Sequence, residues 1–154
     1  MSADNSPAGY VIHEGYPSVD DYVKLRTESG LTPTNAAQAA GAVKGSWYGC
    51  YAATADDPQR AVAMGRVIGD GAWYFVVADM TTLPNHQRKG LGDAILKRLL
   101  AKIKADSAPG NAYVTLMADE PGRRLYQKNG LVDAMPKEMG MVMIMNKDTP
   151  GNGI

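Results

Sequence analysis

The sequence predicts a mixed α/β fold, with a single domain built on one mixed (α+β) β-sheet that has helices on both faces. A length of 154 residues suits one domain with a substantial core and is too short for two ordinary domains. Segments rich in β-branched and aromatic residues alternate with segments of helical periodicity, and no repeat or long linker divides them. Residues 1–8 and 147–154 are rich in Pro, Gly, Asn and Asp, which predicts flexible tails around a domain at 9–146.

The first strand is predicted at residues 10–14. Ser18 precedes a helical pattern at 19–28 and is a favoured N-cap residue. A second, alanine-rich helix is predicted at 32–43, where Pro33 lies in the first turn that tolerates proline.

Three consecutive antiparallel strands are predicted next, because three segments rich in aromatic and β-branched residues are separated by short turns. They are predicted at 47–54, 61–68 and 72–80, with turns at 56–58 and 69–71. The third of these strands is the most apolar.

Residues 91–105 carry an apolar stripe at helical spacing and form the clearest predicted helix. A strand at 113–117 and a short helix at 121–129 come next. Residues 140–145 are apolar at successive positions, which predicts a last strand in the middle of the sheet. The complete predicted order is β-α-α-β-β-β-α-β-α-β.

The composition excludes several classes of function. Lys plus Arg and Asp plus Glu number 16 each, so the chain has no basic field for nucleic acid or a membrane surface. No segment approaches the ~18 apolar residues of a membrane span, and the N-terminus lacks a secretory signal. We therefore expect a cytoplasmic protein with no nucleic-acid or membrane partner. His13 and His86 are far apart in sequence and predict no metal site, and Cys50, in an apolar strand, is expected to be buried.

The most informative segment is the loop after the most apolar strand. It carries two cations, Arg88 and Lys89, and two glycines, Gly90 and Gly92, and it opens a strong helix at Leu91. A helix N-terminus leaves its first N–H groups unpaired and carries a partial positive charge, so this loop is typical of an anion site. It matches neither the P-loop nor the dinucleotide-binding pattern. A tight turn with a helix cap is the alternative at this point.

Two motifs together resemble the GNAT superfamily of N-acetyltransferases. Gln87-x-x-Gly90-x-Gly92 resembles its [QR]-x-x-G-x-[GA] loop, and residues 125–131, Leu-Tyr-Gln-Lys-Asn-Gly-Leu, resemble its L-Y-x-K-x-G-F segment. Leu131 replaces the usual phenylalanine. The resemblance also covers the order of elements over nearly the whole chain.

The resemblance implies that acetyl-CoA is the cofactor. The backbone of residues 80–82 would pair with its pantetheine arm, and the glycine loop would hold its pyrophosphate. Asp119 stands where the family often has asparagine, and an ionised aspartate accepts hydrogen bonds but cannot donate them, which puts that contact in doubt. The implied cofactor-binding residues are Met80, Thr81, Thr82, Gln87, Arg88, Lys89, Gly90, Leu91, Gly92 and Asp119.

In this family the amine attacks the thioester directly, and the resemblance places Tyr126 as the acid that protonates the departing thiolate. Core packing is the alternative role for this tyrosine. Asp79 ends the most apolar strand, where burial would raise its pKa and make it the candidate base. Capping of backbone amides is its alternative role. Glu120, Asp119 or a water relay could serve as the base instead.

The acceptor wall in this fold comes from residues 30–46 and 135–139, which are short of charge. We therefore expect a small, apolar or aromatic primary amine, bound by Leu31, Trp47 and Tyr48. The two aromatic residues could equally be core residues of a strand. A protein lysine or N-terminus as acceptor, and a non-catalytic coenzyme A-binding sensor, are the alternative functions. The sequence leaves the oligomeric state open, a homodimer included.

Overall fold

A computed structural model describes residues 5–148 of the chain. The chain divides into two compact units, the first ending at Ala118 and the second beginning at Asp119. The helices and strands are β1 (Tyr10–Glu14), α1 (Val19–Glu28), α2 (Ala36–Gly45), β2 (Tyr48–Thr54), β3 (Asp57–Gly69), β4 (Tyr74–Thr82), α3 (Leu91–Asp106), β5 (Tyr113–Thr115) and α4 (Arg123–Lys128). Short 3-10 turns precede α3, at Pro84–His86, and α4, at Glu120–Gly122.

The first unit contains a five-stranded sheet in the order β1-β2-β3-β4-β5. Its first four strands pair antiparallel, and β4 pairs with β5 in parallel. The predicted mixed sheet and its three consecutive antiparallel strands are confirmed.

The two faces of the sheet follow from the alternation of side chains along β2 and β3. Tyr51 pairs with Met64. Met64 belongs to one core cluster with Tyr22 and Leu25 of α1, and Tyr51 packs against that cluster. Cys50 pairs with Gly65 on the opposite face, where a Cβ at Gly65 would lie 2.8 Å from Cγ2 of Ile95 in α3. Helices therefore cover both faces, as predicted, and the glycine allows α3 to approach the sheet closely.

The second helix begins at Ala36, later than the predicted start at residue 32. Asn35 is the N-cap, and its side chain accepts a hydrogen bond of 2.8 Å from the N–H of Gln38. The Gln38 side chain in turn accepts from the N–H of Asn35, which completes a capping box. This reciprocal cap fixes the helix start more strongly than the proline does.

The predicted last strand at 140–145 is wrong. The structure has no strand there, and Met141 and Val142 are 89% and 78% exposed. An apolar sequence forms a strand only when a neighbouring strand supplies hydrogen bonds, and within residues 5–148 β4 is the only strand that pairs with β5. The predicted order is thus confirmed from β1 through α4.

The chain ahead of β1 is hydrogen-bonded to that strand. The N–H of Ile12 donates to Oγ of Ser6, and the N–H of Tyr10 donates to the carbonyl of Pro7, each at 3.0 Å. Parts of the predicted tails, residues 1–4 and 149–154, lie outside the described residues. No helix within residues 5–148 has the length and apolar character required to cross a membrane.

Candidate active site

The N-terminus of α3 has the geometry of an anion site. Gly90 is its N-cap residue at φ 83°, and Arg88 also has a positive φ of 61°. Within the described residues no side chain caps this end of the helix, so its first N–H groups are not bonded to a capping side chain. Gln87, Arg88, Lys89 and Gly90 are exposed, whereas Leu91 is buried and anchors the helix on the sheet.

The edge of β4 that precedes this loop is open over much of its length. Its pairing with β5 ends where Val76 meets Thr115, while β4 itself continues to Thr82. The side chains at this end of the strand are used in packing: Oγ1 of Thr81 donates to the Leu25 carbonyl at 3.2 Å. An open strand edge of this kind presents backbone groups that can pair with an extended ligand. Nε2 of Gln87 donates to the Thr82 carbonyl at 3.1 Å and ties the loop to the strand.

A β-bulge in β4 determines where the Asp79 side chain lies. Arg66 of β3 is opposite Ala78 and Met64 is opposite Thr81, so β4 has one residue more than β3 in this interval. Asp79 has a φ of 57°, a left-handed conformation that aspartate tolerates better than most residues. The bulge directs the Asp79 side chain to the face covered by α1.

Three side chains, those of Tyr22, Arg26 and Arg66, hold Asp79 there. We call these four residues the Asp79 cluster. The Tyr22 hydroxyl and Nη1 of Arg26 each donate a short hydrogen bond to the carboxylate, and Nε of Arg66 donates one of 2.5 Å. The Asp79 side chain is only 6% exposed.

The electrostatics of the Asp79 cluster differ from those predicted. Burial alone would raise the pKa of Asp79, but the hydrogen bonds from Tyr22 and Arg66 and the charges of both arginines outweigh it and lower that pKa. The expected rise is therefore wrong, because sequence reasoning considered burial without these partners. Burial and the neighbouring carboxylate raise the pKa of Tyr22 to about 12, so its phenol stays protonated.

Sequence reasoning missed Tyr22, Arg26 and Arg66. A signal for them is present in the sequence. Tyr22 and Arg26 are four residues apart and share one helix face, and Arg66 interrupts the otherwise uncharged segment 61–68 of β3. A charged residue in an apolar strand indicates a buried partner.

The predicted acceptor residues are not brought together on one face of the sheet. Leu31 follows α1, whereas Tyr48 lies on the α3 side, where Nζ of Lys102 is 5.4 Å from the centre of its ring. The Trp47 ring packs 4.9 Å from that of Phe75. These contacts favour the interpretation of both aromatic residues as core residues, and their binding of substrate stays a prediction.

The second unit contains Tyr126, on α4. Partial burial and the charge of Asp119 raise the pKa of the Tyr126 phenol. Its ring lies close to Gly122, where a Cβ would come within 2.9 Å of Cε2. This tyrosine is therefore neutral at physiological pH and able to donate a proton.

Comparisons with known proteins define the class to which this fold and site belong. The model of the acetyltransferase (GNAT) domain family matches residues 46–132, which is more than half of the 154-residue chain. The chain belongs to the GNAT acetyltransferase family. A comparison with curated proteins finds no match.

Solved structures agree with this assignment. A protein of unknown function from meticillin-resistant Staphylococcus aureus, described as "Probable Acetyltransferase", is 30% identical with a TM-score of 0.81, and the match covers 88% of this chain and 98% of that one. A GNAT family acetyltransferase from Streptococcus pneumoniae TIGR4 is 22% identical with a TM-score of 0.70, over 90% of this chain and 99% of its own. A Clostridium acetobutylicum structure described as a "predicted acetyltransferase with acetyl-CoA" is 16% identical with a TM-score of 0.63, over 86% and 96% of the two chains. The last two show similarity of fold alone.

Proposed function

We propose that this protein transfers an acetyl group from acetyl-CoA to the primary amine of a small molecule. The observation that carries the proposal is the N-terminus of α3, which follows the open edge of β4 in a chain of the GNAT family. No side chain within residues 5–148 caps this end of the helix, and its N-cap residue Gly90 has a positive φ. Acetyl-CoA supplies the acetyl thioester.

The residues present suit this cofactor. The first N–H groups of α3 and the cations Arg88 and Lys89 would hold the pyrophosphate, whose negative charge the helix N-terminus favours. The backbone of residues 80–82 would pair with the extended pantetheine arm along the strand edge. We also retain Asp119 as a candidate contact, limited to accepting hydrogen bonds when it is ionised.

The burial of Cys50 supports direct transfer of the acetyl group to the amine, without an acetylated cysteine as an intermediate. Cys50 is fully buried, as predicted, and burial raises the pKa of its thiol to about 12. A thiol in that state carries almost no thiolate at neutral pH and is a poor nucleophile. We propose that the Tyr126 phenol gives its proton to the departing sulfur.

The assignment of Asp79 as the base stays a prediction that its lowered pKa disfavours. A carboxylate that already accepts hydrogen bonds from two arginines and a tyrosine binds a further proton weakly. We propose instead that Asp79 is a positioning residue, which fixes the two guanidinium groups, and that the amine loses its proton to water.

The experiment is a thiol-release assay with acetyl-CoA and a panel of amines, in which mass spectrometry of the products should find one added acetyl group. Binding of acetyl-CoA without turnover on any amine or peptide would contradict the proposal and indicate a coenzyme A-binding sensor. Acetylation confined to peptides would replace the small-molecule acceptor by a protein lysine or N-terminus.

A further inference from the structure

The Asp79 cluster contains more positive than negative charge. Arg26 and Arg66 contribute two positive charges, Asp79 contributes one negative charge, and the Tyr22 phenol is neutral. Burial alone would lower the pKa of Arg66, but its hydrogen bond to Asp79 and the charge of that carboxylate raise it, so its guanidinium group stays ionised. The cluster therefore keeps an excess of one positive charge at physiological pH.

This excess charge is largely removed from water. The side chains of Arg26 and Arg66 are 19% and 14% exposed. Holding an uncompensated charge at such a place costs free energy, which an anionic ligand would recover. A small part of each arginine side chain stays in contact with solvent, from which a ligand would approach.

The cluster is attached to both ends of the segment 30–46, the candidate acceptor wall. Nε and Nη2 of Arg26 donate to the Thr32 carbonyl at 2.9 and 2.7 Å, and Nη1 of Arg66 donates to Oγ of Ser46 at 3.1 Å. Asp79 also directly precedes the backbone proposed to bind pantetheine. Although the wall segment itself is short of charge, two arginines from neighbouring elements bring charge to it.

We propose that the acceptor is an amine that also bears an anionic group, a carboxylate or a phosphate, and that Arg26 and Arg66 bind this group. The hydrogen bonds named above use three of the five N–H donors of Arg26 and two of those of Arg66, and the other N–H groups can donate to the oxygens of a carboxylate or a phosphate. Asp79, Ser46 and the Thr32 carbonyl hold the two guanidinium groups in place. This inference rests on the proposed function and replaces the uncharged amine expected from the sequence.

The test compares pairs of acceptors that differ in the anion. Phenylalanine is paired with phenethylamine, and phosphoethanolamine with ethanolamine, and kcat/KM for thiol release is measured for each. In at least one pair the anionic member should be preferred by about 10–100-fold, the effect of one hydrogen-bonded contact to a charged group. The pair that shows the preference distinguishes a carboxylate from a phosphate.

Variants locate the origin of the preference. Arg26→Gln should reduce it by about tenfold or more, and Arg26→Lys should retain part of it because the charge remains. Arg60→Gln is the matched control, since Arg60 is an exposed arginine on the same strand as Arg66, and it should leave the preference unchanged. Melting temperatures of all three variants show whether each is folded.

Calorimetry of the anionic and neutral acceptors with the protein alone provides a readout that needs no turnover. Tighter binding of the anionic acceptor that is lost in Arg26→Gln would support the inference, whether or not any amine is acetylated. A failure to acetylate any amine would contradict only the proposed function. Equal kcat/KM and equal affinity within both pairs would overturn the inference. So would a folded Arg26→Gln variant that keeps the full preference, because the arginines would then only tie α1 to the sheet.

Discussion

At the scale of single residues, two candidate functional groups, Asp79 of the first unit and Tyr126 of the second, have opposite electrostatic surroundings. The Asp79 carboxylate is surrounded by donors that lower its pKa, whereas the Tyr126 phenol has partial burial and the negative charge of Asp119, which raise its pKa. Asp79 therefore stays ionised and Tyr126 stays protonated near neutral pH. This contrast suits a structural anion and a proton donor, respectively.

Tyr126→Phe tests the proton donor. The substitution removes one oxygen and keeps the ring, so we expect the affinity for acetyl-CoA to change little and kcat to fall by about 10²–10⁴-fold, the usual contribution of one positioned general acid. Calorimetry and steady-state kinetics measure the two quantities on the same preparation. A variant with near-normal kcat would show that Tyr126 is a packing residue. Loss of stability by about 1 kcal/mol without loss of turnover would indicate a buried hydrogen bond instead.

Asp79→Asn tests the Asp79 cluster through stability and its dependence on pH. The lowered pKa means that the native state favours the ionised carboxylate, so its stabilising contribution is present above the unfolded pKa of about 3.9 and is lost as the pH falls through the lower native value. We expect the variant to lose about 3 kcal/mol of unfolding free energy at pH 7, the lower end of the cost of breaking a buried ion pair. Urea unfolding at a series of pH values should show this difference shrinking below pH ~4.

Asp106→Asn is the control for that experiment. Asp106 pairs with Lys102 on the surface of α3, and its side chain is 46% exposed, so its removal should cost less than about 1 kcal/mol. An Asp79→Asn variant that loses no more than this control would contradict the interpretation of the cluster as a buried ionic tie.

At the scale of elements, β4, the loop after it and the start of α3 carry the proposed contact groups at consecutive positions along the chain. The bulge at Asp79 turns a carboxylate toward α1, the open edge follows at residues 80–82, and the loop then delivers Gly90 to the start of the helix. One continuous segment thus leads from the proposed acceptor side to the proposed pyrophosphate site. The buried stripe of α3 keeps this N-terminus fixed on the sheet.

Gly90→Glu tests the helix N-terminus. A carboxylate there would place negative charge and bulk against the pyrophosphate, so we expect the affinity for acetyl-CoA to fall by more than about 100-fold, equivalent to about 2.7 kcal/mol. Gly110→Glu is the matched control, because Gly110 also has a positive φ and open space around it but lies beyond the opposite end of α3. Calorimetry showing the same affinity for both folded variants would contradict the proposed pyrophosphate site.

At the scale of the whole molecule, the sequence was sufficient for the helices through α4 and for the antiparallel pairing of consecutive strands, and insufficient for features that depend on exact register or on a distant partner strand. The apolar stripe that predicts α3 is buried as expected, and the strands predicted at 47–54 and 61–68 from aromatic and β-branched residues correspond to β2 and β3. The segment at 140–145 has the composition of a strand but pairs with no strand among residues 5–148, and composition cannot reveal whether a partner strand exists. The bulge at Asp79 is likewise a property of register between β3 and β4, so the pKa of that carboxylate could not be deduced from its position at the end of an apolar strand.

The response of the whole chain to acetyl-CoA provides the last prediction. A ligand that binds only the native state stabilises it by about 2.7 kcal/mol at 100 times its Kd. For a chain of 154 residues this corresponds to a rise in Tm of about 5–10 °C. S-acetylpantetheine at the same concentration is the matched probe, because it keeps the thioester and the pantetheine arm but lacks the pyrophosphate. If the N-terminus of α3 holds the pyrophosphate, this probe should raise Tm by much less, and in Gly90→Glu the two ligands should give similar, small shifts. Equal shifts from both ligands on the native protein would show that the binding free energy comes from the pantetheine arm and would remove the anion site from the proposal.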